Sequence, residues 1–206
     1  MRGGCAAPGP PVRSRAVGIQ RVATRRGDLT PGDTFESPRT GARLEVKQTS
    51  ADELTVERVY RPGMGGARVH VHLDFAEQFE VMSGVADARL DDLRLRLTRD
   101  NPVLFIPPGV PHVNPRNLDT TDLVMQQRFT PPTEGVLAYV RTLGEVLRDG
   151  RDDDGDLPTA LVLAVFDATH GRTYYGRLPF GLQRRVLQPL GTAVAGARGY
   201  AVWLPG

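Results

Sequence analysis

Two short stretches decide how this chain reads. The first is Gly65-Gly66-Ala67-Arg68-Val69-His70-Val71-His72, followed by Glu77 and Gly84. The second is Ile106-Pro107-Pro108-Gly109-Val110-Pro111-His112. His70 and His72 are two residues apart in a β-rich segment, so a strand there turns both imidazoles to one face. Glu77 opens the next apolar run, in which Phe79 and Val81 share its parity. The Pro-Pro-Gly turn reverses the chain and delivers His112 toward the same interior. Three of the chain's four histidines thus fall in two short segments with a carboxylate between them. Burying such a set without a cation would require many compensating hydrogen bonds. Three imidazoles and one carboxylate make a nitrogen and oxygen donor set suited to Fe, Mn, Ni, Cu, Co or Zn. We therefore expect one divalent transition metal ion per chain on His70, His72, Glu77 and His112.

The flanking sequence supplies a β scaffold. Strands are expected at Arg43 to Gln48, Glu53 to Arg61, Val69 to Leu73, Glu77 to Met82 and Val85 to Leu90. Leu93 to Leu97, Val103 to Ile106, Pro111 to Asn114 and Leu123 to Thr130 continue the series, with Asp91-Asp92 as a hairpin turn. Many short strands at this spacing imply an antiparallel sandwich or barrel. At Pro131-Pro132 the period changes. Thr133 is placed to cap a helix carrying Val136, Leu137, Val140, Leu143, Val146 and Leu147 at three- and four-residue steps. A second helix is expected over Pro158 to Thr169 and a third from about Pro179 to Gly196, kinked at Pro189. The expected organisation is a disordered leader over 1–30, a β domain over 31–132 and a helical extension over 133–206.

The two histidine segments resemble the paired motifs of the cupin superfamily. The first motif, G-x5-H-x-H-x3,4-E-x6-G, is matched by His70, His72, Glu77 and Gly84, with Met64 at the leading glycine position. The second, G-x5-P-x-G-x2-H-x3-N, is matched by Pro107, Gly109 and His112, with Asn101 and Arg116 replacing its first and last residues. The departures touch turns and not ligands. The resemblance covers about Thr34 to Thr130 and implies a mainly β fold, a jelly-roll barrel with the metal inside, followed by a C-terminal α-helical extension. The tail, with Leu182-Gln183-Arg184-Arg185 and Pro189-Leu190-Gly191, resembles those of small bacterial single-domain cupins.

Strand parity suggests further site residues. Leu123, Met125, Gln127 and Phe129 form the more apolar face of the last strand, which makes Gln127 either a polar group in the pocket or a core amide. Phe79, Val81, Phe105 and Met125 are expected as pocket wall or plain core. Asn114 shares the parity of His112 and is placed to orient it or a ligand. Parity leaves the facing of Arg58 and Tyr60 open. His170 reads as a helix-end residue. Asp152, Asp153, Asp154 and Asp156 fail the EF-hand spacing, since Gly150 stands where the first ligand belongs, and read as a solvated loop.

Composition narrows the function classes. The net charge of +2 comes from scattered arginines, with Lys47 the single lysine, so nucleic acid is not an expected partner. One cysteine, Cys5, permits no intrachain disulfide and points to a reducing compartment. Met1 to Gly27 has no acidic residue, but Pro8, Pro10 and Pro11 break the amphipathic helix a mitochondrial presequence needs. No run approaches the ~18 apolar residues of a membrane span. A cytoplasmic protein is expected, with a small molecule as its partner and a homodimer as its assembly. Two kinds of function fit. One is a metal-dependent enzyme, either a dioxygenase acting on a chelating apolar substrate, with Glu77 doubling as a base, or a redox-neutral isomerase or cyclase. The other is a non-catalytic module that binds a small metabolite.

Overall fold

Along the strand Leu54–Tyr60, the residues Leu54, Val56, Arg58 and Tyr60 share one buried face, and that face carries two different cores. The computed structural model describes residues 28–169, 172–176 and 178–203. The expected leader, up to residue 27, and His170 lie outside the described residues. A six-stranded antiparallel sheet has the order β1 (Thr34–Glu36), β2 (Arg43–Thr49), β3 (Leu54–Tyr60), β10 (Leu123–Thr130), β5 (Ala76–Ser83) and β8 (Val103–Ile106). A second sheet has the order β11 (Thr173–Tyr175), β4 (His70–His72), β9 (His112–Asn117), β6 (Ala86–Leu90) and β7 (Leu93–Leu97). The nine strands read from the sequence are all present; β1 and β11, three residues each, are additional. The β6–β7 hairpin turns at Asp91-Asp92, with Asp91 in the left-handed region at φ 52°.

At one end of the inward face, Tyr60, Phe79, Val81, Leu104, Ile106, Leu123 and Met125 pack against Ala86, Ala88 and Leu97 of the second sheet. At the other end, Leu44, Val46, Leu54, Val56 and Phe129 share a core with helices α1 (Glu134–Arg148) and α2 (Thr159–Ala168). The helical extension therefore supplies the second wall of one of the two cores. Thr133 caps α1 as expected, its Oγ1 accepting the Val136 N–H at 3.3 Å. Gly144 lets α1 settle on β1: a Cβ there would stand 2.7 Å from the Phe35 ring. The third helical run begins as α3 (Phe180–Leu182), passes through a π turn (Gln183–Leu187) and continues as α4 (Gln188–Ala197). Pro189 lacks the N–H an α-helix would use and crowds the preceding turn, and the widened turn lies immediately before it. No helix among the described residues is long and apolar enough to cross a membrane.

One expectation is corrected here. Asp153 and Asp154 of the acidic segment after α1 are exposed, as a solvated loop requires, but Asp152 is only 1% exposed. Its carboxylate accepts from Ser37 Oγ at 2.6 Å, Thr40 Oγ1 at 2.8 Å and the Gly155 N–H at 3.1 Å, with Arg39 at 3.7 Å. These bonds tie the loop after α1 to the turn after β1. An Asp152→Ala substitution leaves all those donors unpaired. It should cost about 3 kcal/mol of stability, read as a lower urea midpoint; an unchanged midpoint would contradict the clamp.

Candidate metal centre

The site lies between the two cores and takes one ligand residue from the first sheet and three from the second. β4 and β9 pair His70 with His112, and their ring centroids are 4.2 Å apart. The turn at Pro107–Gly109 is closed by Gly109, at φ 85°, whose N–H donates to the His72 carbonyl at 2.8 Å. That bond fastens the second motif to the first. Glu77, near the start of β5, reaches across from the opposite sheet. The ligand atoms of His70, His72, Glu77 and His112 all lie within 4.8 Å of one another. His72, Glu77 and His112 are buried and His70 is half-buried at the cavity edge.

The tautomers follow from the backbone. His70 Nδ1 faces the Arg68 carbonyl at 2.9 Å, His72 Nδ1 the Phe75 carbonyl at 3.1 Å and His112 Nδ1 the Val110 carbonyl at 3.0 Å. A carbonyl only accepts, so each Nδ1 carries the proton and a neutral ring presents a lone pair at Nε2. Burial lowers the pKa of His70 to about 3, so its ring is neutral at pH 7. His72 Nε2 stands 3.2 Å and His112 Nε2 3.3 Å from Glu77 Oε2. His112 Nε2 is buried without a hydrogen-bond partner. With neutral rings, lone pairs face lone pairs, and a metal cation among them would relieve the repulsion. Burial alone would push the Glu77 carboxyl up; positive charge beside it, whether on His112 and His72 or on a cation in their place, pulls it well below the usual carboxylate range. The donor set fits a divalent metal, and the three carbonyls, each holding one Nδ1–H, fix the orientation of the rings that would ligate it.

A polar relay runs from this centre into the helical extension. Gln127 Nε2 donates to Glu77 Oε1 at 2.5 Å, and Gln127 Oε1 accepts from Arg58 at 3.4 Å. Arg58, 2% exposed, donates to the Gly155 carbonyl at 2.8 Å, lies 3.7 Å from Asp156 and stacks its guanidinium 4.6 Å from the Tyr60 ring centroid. Burial works against its charge, and Tyr60, Tyr139 and Asp156 outweigh it, so the guanidinium stays protonated. Tyr139 closes the relay by donating its hydroxyl to Asp156 at 2.7 Å. Burial first, then Asp156, pushes the Tyr139 hydroxyl well above its ordinary pKa.

The centre opens into a cavity of about 280 Å³ whose wall is shared by the barrel and the extension. Phe75, Phe129, Val136, Val162, Phe166 and Tyr175 supply its apolar side. Of the residues foreseen from parity, Asn114 and Gln127 line it. Phe79, Val81 and Met125 are plain core at the other end of the barrel. Phe105 is a correction: it is 55% exposed, because Leu104 and Ile106 take the inward positions of β8. The true walls were missed because they come from the helices and from β11. Phe129 was legible as an inward residue of β10, whereas Tyr139 and Tyr175 required the extension to be placed over the barrel mouth.

Two antiparallel sheets enclose the two-motif ligand set. The strand order is that of a jelly roll, the fold the resemblance to cupins implies. No family model matches the chain. A curated relative, "Oxidoreductase iacF" of Pestalotiopsis fici, is 33% identical over 111 residues, 52% of this chain and 54% of the relative. The chain thus spans about half the length of that relative. Similar solved structures include an RmlC-like cupin from Shewanella frigidimarina, 22% identical, covering 47% of this chain and 82% of that one at a TM-score of 0.40. KdgF from Halomonas sp. is 18% identical over 47% of this chain and 84% of its own, at a TM-score of 0.41.

Gln127 joins two buried charges, donating to Glu77 and accepting from Arg58. Gln127→Leu leaves Glu77 Oε1 without its donor and takes one acceptor from Arg58, which keeps Gly155 and Asp156, and should lower stability by roughly 2 kcal/mol. Chemical denaturation with no shift in midpoint would contradict the relay.

Proposed function

We propose that this chain is a metal-dependent enzyme carrying out dioxygenase-like oxidation of a small, largely apolar molecule that chelates the metal. The observation that carries this reading is the convergence of three Nε2 lone pairs and one carboxylate oxygen beside a part-apolar cavity. A divalent Fe, Mn or Ni ion held by His70, His72, Glu77 and His112 would supply Lewis acidity and, with iron, access to O2 chemistry.

The chain's own groups define the rest. Phe75, Phe129, Val136 and Phe166 offer a ring or alkyl body its contacts and keep water from it. Asn114 lines the same cavity, is 8% exposed and has a buried Oδ1 with no hydrogen-bond partner. Leaving that oxygen unpaired is costly, so a ligand hydroxyl or N–H is its natural complement. Glu77 is the group in reach to accept the proton a chelating hydroxyl gives up. The oxidoreductase name of the curated relative favours redox chemistry over isomerisation or cyclisation. A homodimer and a cytoplasmic setting belong to the same proposal, and a monomer mass in sedimentation equilibrium would remove the dimer.

Metal analysis of the isolated chain should give one divalent ion per chain, and His112→Ala should lose most of it. Full loading of the variant would sink the ligand assignment. Oxygen uptake is then measured with catechols and β-diketones as probes. Glu77→Gln, normalised to metal content, should reduce turnover at least about a hundredfold while probe binding changes little. Conversion without oxygen uptake would point instead to isomerisation or cyclisation, and unaltered recovery of every probe to a binding module.

A further inference from the structure

Outside the cavity lies a second, larger space, an open groove of about 610 Å³ over the outer face of the β6–β7–β9 sheet. The two spaces share Ala67, Asp156, Val162 and Tyr175, so the groove abuts the inner cavity. Arg68, Arg89, Arg94 and Arg116 line it. Arg89 and Arg94 are direct cross-strand partners. Their side chains therefore leave the sheet on the same face, where like charges directly opposite are destabilising.

Nothing among the described residues relieves that pair. No carboxylate lies within 4.0 Å of any of these guanidiniums among the described residues. Arg89 Nε is buried and has no acceptor at all. Arg116 spends its Nε on the Gly63 carbonyl at 3.0 Å. Asp87, Asp153 and Asp154 also line the groove without closing an ion pair, and Asp156 is committed to Tyr139 and Arg58. Thr159, the first residue of α2, lines the groove as well, and the helix has neither a side-chain cap nor an acidic residue in its first turn. The positive end of its dipole is left uncompensated there.

We propose that this groove is an anion subsite for a carboxylate or phosphate borne by a molecule whose apolar end occupies the inner cavity. Guanidiniums take either group through paired N–H donors. The inference rests on reading the inner cavity as the ligand chamber, and it narrows the ligand class to amphiphilic anions. A small molecule reaching from the apolar wall past Tyr175 would place its charged end against Arg89 and Arg94.

The test uses the full chain and three probes of one chain length: octanoate, octyl phosphate and 1-octanol, titrated calorimetrically. At least one of the two anions should bind at least about tenfold more tightly than 1-octanol, and which one does so identifies the group. Arg89→Gln and Arg94→Gln should each remove about tenfold of that preference and leave 1-octanol unaffected. Because the pair is repulsive, Arg94→Gln should keep or raise the melting temperature; a merely structural arginine would lower it. No anion preference in the wild type, or a preference unchanged within twofold in both variants, would overturn the subsite. His112→Ala separates the two readings: it should lose metal and keep the anion preference.

Discussion

Three backbone carbonyls, those of Arg68, Phe75 and Val110, hold the centre of this molecule in place. Each takes the Nδ1 proton of one histidine and so turns a lone pair inward. Everything else at the site follows from that constraint. Where neutral rings turn their Nε2 lone pairs toward the Glu77 carboxylate, a metal cation is the species that satisfies both. The carbonyls are available because the backbone departs from regular pairing where they occur. Arg68 precedes β4, Phe75 lies between β4 and β5, and Val110 follows the Gly109 turn.

The same constraint explains why the molecule has two cores. A polar layer containing Glu77, Gln127 and Arg58 crosses the inward face of the six-stranded sheet, and apolar packing cannot run through it. One core fills the space between the sheets, and the other requires the helices to supply its second wall. The extension then completes the relay with Tyr139 and Asp156, roofs the cavity with Val136, Val162 and Phe166, and adds β11 beside the histidine strand. A barrel cut at Pro132 would lose the far wall of its own site.

Legibility in the sequence tracked the range of the interactions. His70 and His72 were readable from strand parity, His112 from a proline-glycine turn, and the nine main strands from local pattern. Gln127 was readable as inward because its neighbours Met125 and Phe129 are apolar. Phe105 was misread because β8 has only four residues, all apolar, so its alternation carries no polar mark to fix the inward face. Asp152 and Asp156 looked like solvated charges because their partners, Ser37, Thr40, Arg58 and Tyr139, are remote or belong to another element. β11 was invisible because a three-residue strand gains its identity only from pairing with β4.

The central claim is that three neutral imidazoles offer Nε2 to one cation. Nitrogen-15 spectra of histidine-labelled protein at neutral pH report both tautomer and coordination for each ring. The account predicts Nδ1–H tautomers for His70, His72 and His112, with all three Nε2 resonances moving together on addition of one equivalent of Zn(II). An Nε2–H tautomer at any of the three, or resonances that stay unmoved with Zn(II) present, would contradict it.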